Sequence, residues 1–319
     1  MIARRVPWVL LAVLVLAQIC YPLTTGTTRA RLTVATVVLG YLLSVGHALL
    51  SRGPRTAAAL VAVATGGGFA IEALGVATGF PFGSYDYSGE LGPKLAGVPL
   101  IIPLAWTWMA WPAWLATVRL TTPHTATTVE AVTTGTPTGG AGSAGTTTGD
   151  TPTAGRTAWT RHAGRIALAA VGLAAWDLFL DPQMVAEGYW IWRDATPALP
   201  GLPGIPVSNY LGWLLFAVLL MSALRPLAGP AVAVTDSRDD PMLALYLWTY
   251  FSSVLAHAVF LALPASALWG AAGMAVTALP LAVTLLRARR DRAERTRTGR
   301  PQPGEPGGRT QRPGVDAPA

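Results

Sequence analysis

The chain has 319 residues, 52% hydrophobic and only 12% charged, with Lys and Arg outnumbering Asp and Glu by 23 to 16. A soluble domain carries about 25% charged residues, so this balance excludes an ordinary water-soluble enzyme and reads as an all-α, polytopic membrane helix bundle. The basic excess, with a pI of about 10.1, sits at segment ends and in the C-terminal tail. That placement suits anionic lipid on the cytoplasmic side and offers no folded surface to nucleic acid. Cys20 is the only cysteine, which leaves no intramolecular disulfide and no thiolate metal cluster.

Residues 1–5 are a short basic start to the apolar run 6–23. The run lacks a small-x-small cleavage site and leads into further apolar segments, so it reads as a retained helix. Residues 32–50 and 57–79 give a second and a third span, each long enough to cross about 30 Å of hydrocarbon. The third contains Gly66-Gly67-Gly68, which reads as close helix packing because no Lys or Ser/Thr follows in phosphate-loop spacing. It also contains Glu72, an acid placed within the membrane. Residues 79–94 are too rich in Gly, Pro and aromatics for a helix. A fourth span follows residues 98–103 and ends near Val118, carrying Trp106, Trp108, Trp111 and Trp114.

Residues 121–160 are Thr/Gly/Ala-rich and read as a disordered linker between helices one to four (1–120) and helices five to eight (161–287). The fifth span, 163–181, ends on Asp177 and Asp181. Four residues apart, these share one face of a helix, one turn above the other, and Pro182 is expected to end that helix. After the aromatic stretch 189–192 and a Pro/Gly-rich loop, the sixth span opens on Val207-Ser-Asn-Tyr-Leu-Gly-Trp213 and runs to about residue 224. Spans seven and eight are 242–263, with His257, and 267–286. Residues 288–319 read as a disordered basic tail.

With eight spans, one set of ends holds Arg4, Arg5, Arg52, Arg55, Arg119, Arg156, Arg161, Arg165, Arg225, Arg238 and the tail arginines. The other holds only Arg29, Arg31, Lys94 and Arg193. The positive-inside rule then puts both termini in the cytoplasm. Glu72, the 79–94 loop, Asp177, Asp181, the 187–192 aromatics, Asn209 and His257 all fall in one layer near the opposite side.

Acids kept in a span need a cavity or a partner. Carboxyl groups sharing a low-dielectric pocket cannot all stay ionised, which sets a neutral acid beside a carboxylate. The plainer reading makes Asp177 and Asp181 glue between helices, and Glu72 divides between the same two readings. Asp86 and Glu90 lie in a polar loop, where simple solvation is the alternative. Tyr85, Trp106, Trp176, Tyr189, Trp190 and Trp192 could line an apolar pocket and face a cation, or could form interfacial belts. His47, His124, His162 and His257 are scattered singly. They cannot furnish the histidine boxes of a membrane di-iron oxygenase, which turns the expectation toward acid/base chemistry.

Three blocks in order carry a resemblance: Gly79-Phe-Pro-Phe-Gly-Ser-Tyr-Asp-Tyr-Ser with Leu91-Gly-Pro-Lys-Leu-Ala-Gly-Val-Pro-Leu100, then Asp177-Leu-Phe-Leu-Asp-Pro182 with Gly188-Tyr-Trp-Ile-Trp192, then Gly204-Ile-Pro-Val-Ser-Asn-Tyr-Leu-Gly-Trp213. Together they are similar to the carotenoid biosynthesis membrane proteins of the CruF type, over about residues 70–215. The resemblance implies a multi-pass protein of the cell membrane that adds water to the terminal C1–C2 double bond of an acyclic carotenoid, giving a tertiary alcohol. It implies no metal and no other cofactor. Its partners would be the carotenoid substrate, the lipid bilayer and other carotenoid-pathway membrane enzymes. Within that reading Asp177 is the proton donor, Asp181 the carboxylate that steadies the cation, and Glu72 a third catalytic acid. Tyr85, Asp86, Trp106, Trp176, Tyr189, Trp190 and Asn209 would bind substrate or water. Two alternatives stand beside it. In one, a UbiA-type prenyltransferase uses Asp177-x-x-x-Asp181 to hold Mg²⁺ on a diphosphate. In the other, a transporter or scaffold uses the acids as a proton relay or as packing contacts.

Overall fold

The computed structural model describes residues 2–122, 152–229 and 233–298. Long apolar segments that must satisfy their own backbone in lipid become helices. The order is α1 (Ile2–Cys20), α2 (Gly26–Arg52) and α3 (Pro54–Leu60), the last joined through a π-helical turn to α4 (Gly67–Thr78). There follow β1 (Tyr85–Tyr87), β2 (Lys94–Leu95), β3 (Val98–Pro99) and α5 (Ile102–Thr121). After α6 (Pro152–Ala174) and α7 (Asp177–Ala186) come β4 (Trp190–Trp192), β5 (Ala198–Leu199) and β6 (Leu202–Pro206). Three further helices close the described chain: α8 (Val207–Ala228), α9 (Asp240–Leu255) and α10 (Pro264–Thr298).

Among the described residues, seven helical stretches are long and apolar enough to cross a membrane: Arg4–Leu23, Gly26–Arg52, Pro54–Thr78, His162–Ala186, Val207–Ala228, Ser237–Phe260 and Pro264–Glu294. The expected fourth span, α5, has the length but is not one of them. Its indoles and prolines lower its hydropathy, and every residue from Ala105 to Val118 is buried. It is the central helix, packed on α2, α4, α6 and α9. Its four tryptophans are therefore core residues, which rules out the belt reading for Trp106. Gly40 of α2 admits one of these rings, because a Cβ there would stand 2.5 Å from Trp108. The triple glycine likewise serves packing, with Gly68 against Trp106.

Helices enter both segments expected to be disordered, since α6 begins at Pro152 and α10 runs to Thr298. Residues 123–151 and 299–319 of those segments lie outside the described residues. The bundle and its cavity belong to one compact unit, Met1–Thr122 with Thr147–Ala282. A second unit is, in its described part, the Arg-rich continuation of α10 from Val283 to Thr298.

Pro182 does not end its helix, contrary to expectation; α7 continues to Ala186. Proline lacks the N–H that would bond the carbonyl four residues back. That carbonyl, of Leu178, accepts from Ser266 Oγ of α10 at 2.7 Å instead. With the orphan group satisfied from outside, the helix passes through the proline.

The loops between helices are knitted by short antiparallel pairs. β1 pairs with β4 in the register Tyr85↔Trp192, Asp86↔Ile191 and Tyr87↔Trp190, while β2 pairs with β3 and β5 with β6. The first pairing joins two loops about 100 residues apart and closes one end of the bundle. At the Arg-rich end, Arg52 of α2 forms a buried ion pair with Asp239 at 2.6 Å.

Candidate active site

The strand alternation of β1 decides which loop groups enter the protein. Tyr85 and Tyr87 turn inward and Asp86 turns out. Both phenols donate to Glu72 Oε2, at 2.7 and 2.8 Å, and Trp106 Nε1 donates to Glu72 Oε1 at 3.0 Å. Glu72 is thus a buried carboxyl that accepts from three donors. Burial first, then the neighbouring Glu72 carboxylate, raises both phenols above the usual tyrosine range, so they remain donors.

Asp177 and Asp181 are the second half of the site. Their one-turn spacing brings both to Asn209 of α8, whose Nδ2 donates to Asp177 Oδ2 at 2.8 Å and to Asp181 Oδ2. The two carboxyls lie within interaction range of each other and of Glu72. Asp177 is fully enclosed, and its Oδ1 has no hydrogen-bond partner. Asp181 faces a cavity of about 130 Å³ that Asp177 does not line. A single water needs about 10–15 Å³ of such space, so the cavity has room for several waters or for the branched end of an apolar chain.

The cavity walls are rich in aromatic side chains. Trp106, Trp108, Trp176, Trp190, Trp192 and Trp213 all reach it, along with Phe82 and the Tyr85–Tyr87 pair, and Glu72, Asp181 and Asn209 supply its acidic pole. Trp106 stacks on Trp213 with ring centres 3.7 Å apart, and Trp176 meets Trp108 edge-on at 5.3 Å. Indole faces around an acidic pole can stabilise a carbocation that a carboxylic acid generates.

Of the residues expected from sequence, Glu72, Tyr85, Trp106, Trp176, Asp181, Trp190 and Asn209 meet at this cavity, with Asp177 directly behind. Asp86 does not. It is exposed and paired with Arg193 at 2.7 Å across β1 and β4, and the guanidinium holds its carboxyl below the usual range. Tyr189 is buried but does not line the cavity, and its hydroxyl has no hydrogen-bond partner. His257 is a satisfied structural residue. Its Nδ1 is hydrogen-bonded with Ser266 Oγ at 2.8 Å, and its Nε2 with Gln183 Oε1 at 3.1 Å. Trp192, expected as a pocket-lining aromatic, does reach the cavity, whereas Tyr87 and Trp213 were missed. Each repeats a selected residue at its structural period: Tyr87 two along a strand from Tyr85, and Trp213 one helical turn after Asn209. The hydroxyl of Tyr210, buried and unpartnered, lies near both aspartates and was missed as well.

The sequence profile described as "Carotenoid biosynthesis protein" matches residues 32–280, which takes in every cavity element from α2 through α9. The chain is 30% identical over 188 residues to the bisanhydrobacterioruberin hydratase of Haloarcula japonica, an alignment covering 56% of this chain and 50% of that protein. It thus spans about half the length of the curated relative it matches. No solved structure matches the chain. A profile extending over most of a membrane bundle built around one acid-and-indole cavity places this chain in the carotenoid biosynthesis protein family.

Proposed function

We propose that this protein, in the cell membrane, hydrates the terminal C1–C2 double bond of an acyclic carotenoid to a tertiary alcohol by acid/base chemistry. The observation that carries this reading is Asp181, a carboxyl facing an indole-walled cavity with a second carboxyl tied behind it through one asparagine amide. Two carboxyls so placed in a buried site share a proton, as paired acids do when both cannot ionise. Asp181 passes that proton to C2. The tertiary cation at C1 faces the indole walls and the Glu72 carboxylate, and water adds to it. The proton that water loses returns to the aspartate pair, so substrate plus water gives alcohol with no change of oxidation state. The donor role moves from Asp177 to Asp181 because only Asp181 reaches the cavity. Asp177 becomes the group that holds the pair's proton in place. Asn209 presents an N–H to both carboxyl oxygens that a bridging Mg²⁺ would occupy, which sets this donor arrangement against the prenyltransferase alternative.

The test is expression in hosts making different acyclic carotenoids, with mass analysis of the pigments. The expected result is addition of one water per modified end, without oxygen, and deuterium at C2 when the host grows in D₂O. Asp181→Asn should slow hydration by about 10²–10⁴-fold, the usual worth of a positioned acid, and Asp177→Asn by less. Correctly inserted Asp181→Asn protein hydrating at the wild-type rate would defeat the assignment. Proton-coupled flux without a pigment change would favour a transporter. Pigment loss with hydration intact in the partner enzymes would favour a scaffold.

A further inference from the structure

Within hydrocarbon or at its edge, a half-buried arginine needs an anion or a dense set of acceptors. Among the described residues, ion pairs join Arg29 with Glu187, Arg52 with Asp239, Arg193 with Asp86 and Arg238 with Asp236. Arg165 of α6 and Arg225 of α8 are among the described arginines that have no such ion pair. Both are half-buried, and each lies close enough to the other for their positive charges to repel. Arg165 donates from Nε to Thr121 Oγ1 at 2.8 Å and from one Nη to the Ala233 carbonyl at 3.2 Å. Arg225 donates to His162 Nε2 at 2.9 Å. Because arginine can only donate, that histidine nitrogen is an acceptor and brings no negative charge.

A guanidinium carries five N–H donors, so these contacts commit two on Arg165 and one on Arg225. A purely structural role, in which the arginines clip the chain leaving α8 and soften its C-terminal dipole, explains the Ala233 contact. It leaves most of the donors uncommitted and does nothing to offset the repulsion. A tetrahedral oxyanion would do both, since phosphate oxygens match guanidinium forks. Position completes the inference. The pair sits where α5 ends, the apolar span His162–Ala186 begins within α6, and α8 ends. This is the Arg-rich side of the bundle, the depth of cytoplasmic headgroups under the positive-inside rule.

We propose that Arg165 and Arg225, with Thr121 and His162 at its edge, form a phosphate-binding site between α5, α6 and α8 whose occupant in the membrane is an anionic phospholipid headgroup. This site is independent of the hydration chemistry and lies at the opposite end of the bundle from the aspartates.

The experiment uses the full chain, delipidated in detergent, titrated separately with phosphatidylglycerol, phosphatidylcholine and inorganic phosphate. It follows thermal unfolding and lipid retention in native mass spectra. Phosphatidylglycerol is expected to raise the unfolding midpoint and to stay bound, and phosphatidylcholine to do neither. The double variant Arg165→Gln with Arg225→Gln should bind phosphatidylglycerol about thirtyfold more weakly, about 2 kcal/mol. Exposed Arg289→Gln with Arg290→Gln should bind it as wild type does, which separates a built site from general attraction to a basic tail. Should the glutamine pair fail to fold, Arg165→Lys with Arg225→Lys keeps the charge, loses the planar fork and is expected to retain less lipid. Equal stabilisation by both lipids, or wild-type retention in the folded Arg165/Arg225 variant, overturns the site. Binding of inorganic phosphate with no preference for phosphatidylglycerol overturns its assignment to lipid.

Discussion

Replacing Asn209 with leucine tests the site where its geometry is most specific. The substitution keeps the approximate volume and removes the amide that donates to both Asp177 and Asp181. One of those bonds goes to an ionised acid and one to a neutral acid, if the pair shares a proton. By soluble-protein magnitudes they contribute about 2 and about 1 kcal/mol, so roughly 3 kcal/mol is at stake. Hydrogen bonds between membrane helices average nearer 0.6 kcal/mol, because the helices find other partners when apart. The expected loss is therefore between about 1 and about 3 kcal/mol. Hydration should fall further than stability does, by about 10²-fold, because a carboxyl displaced by about 1 Å loses its alignment with the alkene. Thermal unfolding in detergent reads the first quantity, and pigment conversion at matched protein levels reads the second. An Asn209→Leu protein with wild-type melting and wild-type conversion would refute the bridging role.

Three further outcomes check the architecture around the site. Asp86→Asn should leave hydration within about twofold, since its exposed ion pair is worth little. Because Arg193 depresses the Asp86 carboxyl from its usual 3.8, the β1–β4 link is fully present above that value. It loosens only as pH falls through the lowered one, which hydrogen exchange in residues 85–87 would follow. Gly40→Ala forces a Cβ to 2.5 Å from the Trp108 ring, whereas Gly46→Ala meets nothing within 4 Å. The first should cost about 1–3 kcal/mol of stability and the second nothing comparable. Ser266→Ala strips the Leu178 carbonyl of its donor at a cost of about 1–3 kcal/mol. In a Pro182→Ala background, a restored backbone N–H can take that carbonyl, so the two changes should couple by about 1 kcal/mol. Additivity within about 0.5 kcal/mol would defeat this account of how α7 passes its proline.

Much of the fold follows from local rules that a linear chain displays. Apolar length and missing charge give the membrane helices, and arginine asymmetry separates their two ends. One-turn spacing brings Asp177 and Asp181 to a common face, where Asn209 in fact reaches both. The expected gathering of Glu72, Tyr85, Trp176, Trp190 and Asn209 holds at the cavity. Errors arose where a local rule met a neighbour from elsewhere in the chain. Pro182 reads as a helix end until Ser266, 84 residues later in sequence, supplies the missing hydrogen bond. Trp106 could stand in a belt by its sequence until the other helices enclose α5. Asp86 sits between two inward tyrosines, and only the pairing of β1 with β4 fixes which side of the strand it takes.

Composition and spacing thus determined that this chain is a membrane bundle keeping acids and aromatics in one layer, because burial cost and helical period act on residues near one another in sequence. Only the tertiary structure decided that Asp181 opens to the cavity while Asp177 stands behind it, and that Glu72 is occupied by three donors. Those are facts of direction and distance, set by which helices and strands pack together, and a spacing of four leaves both aspartates equivalent until α8 and the cavity lie against one side of them.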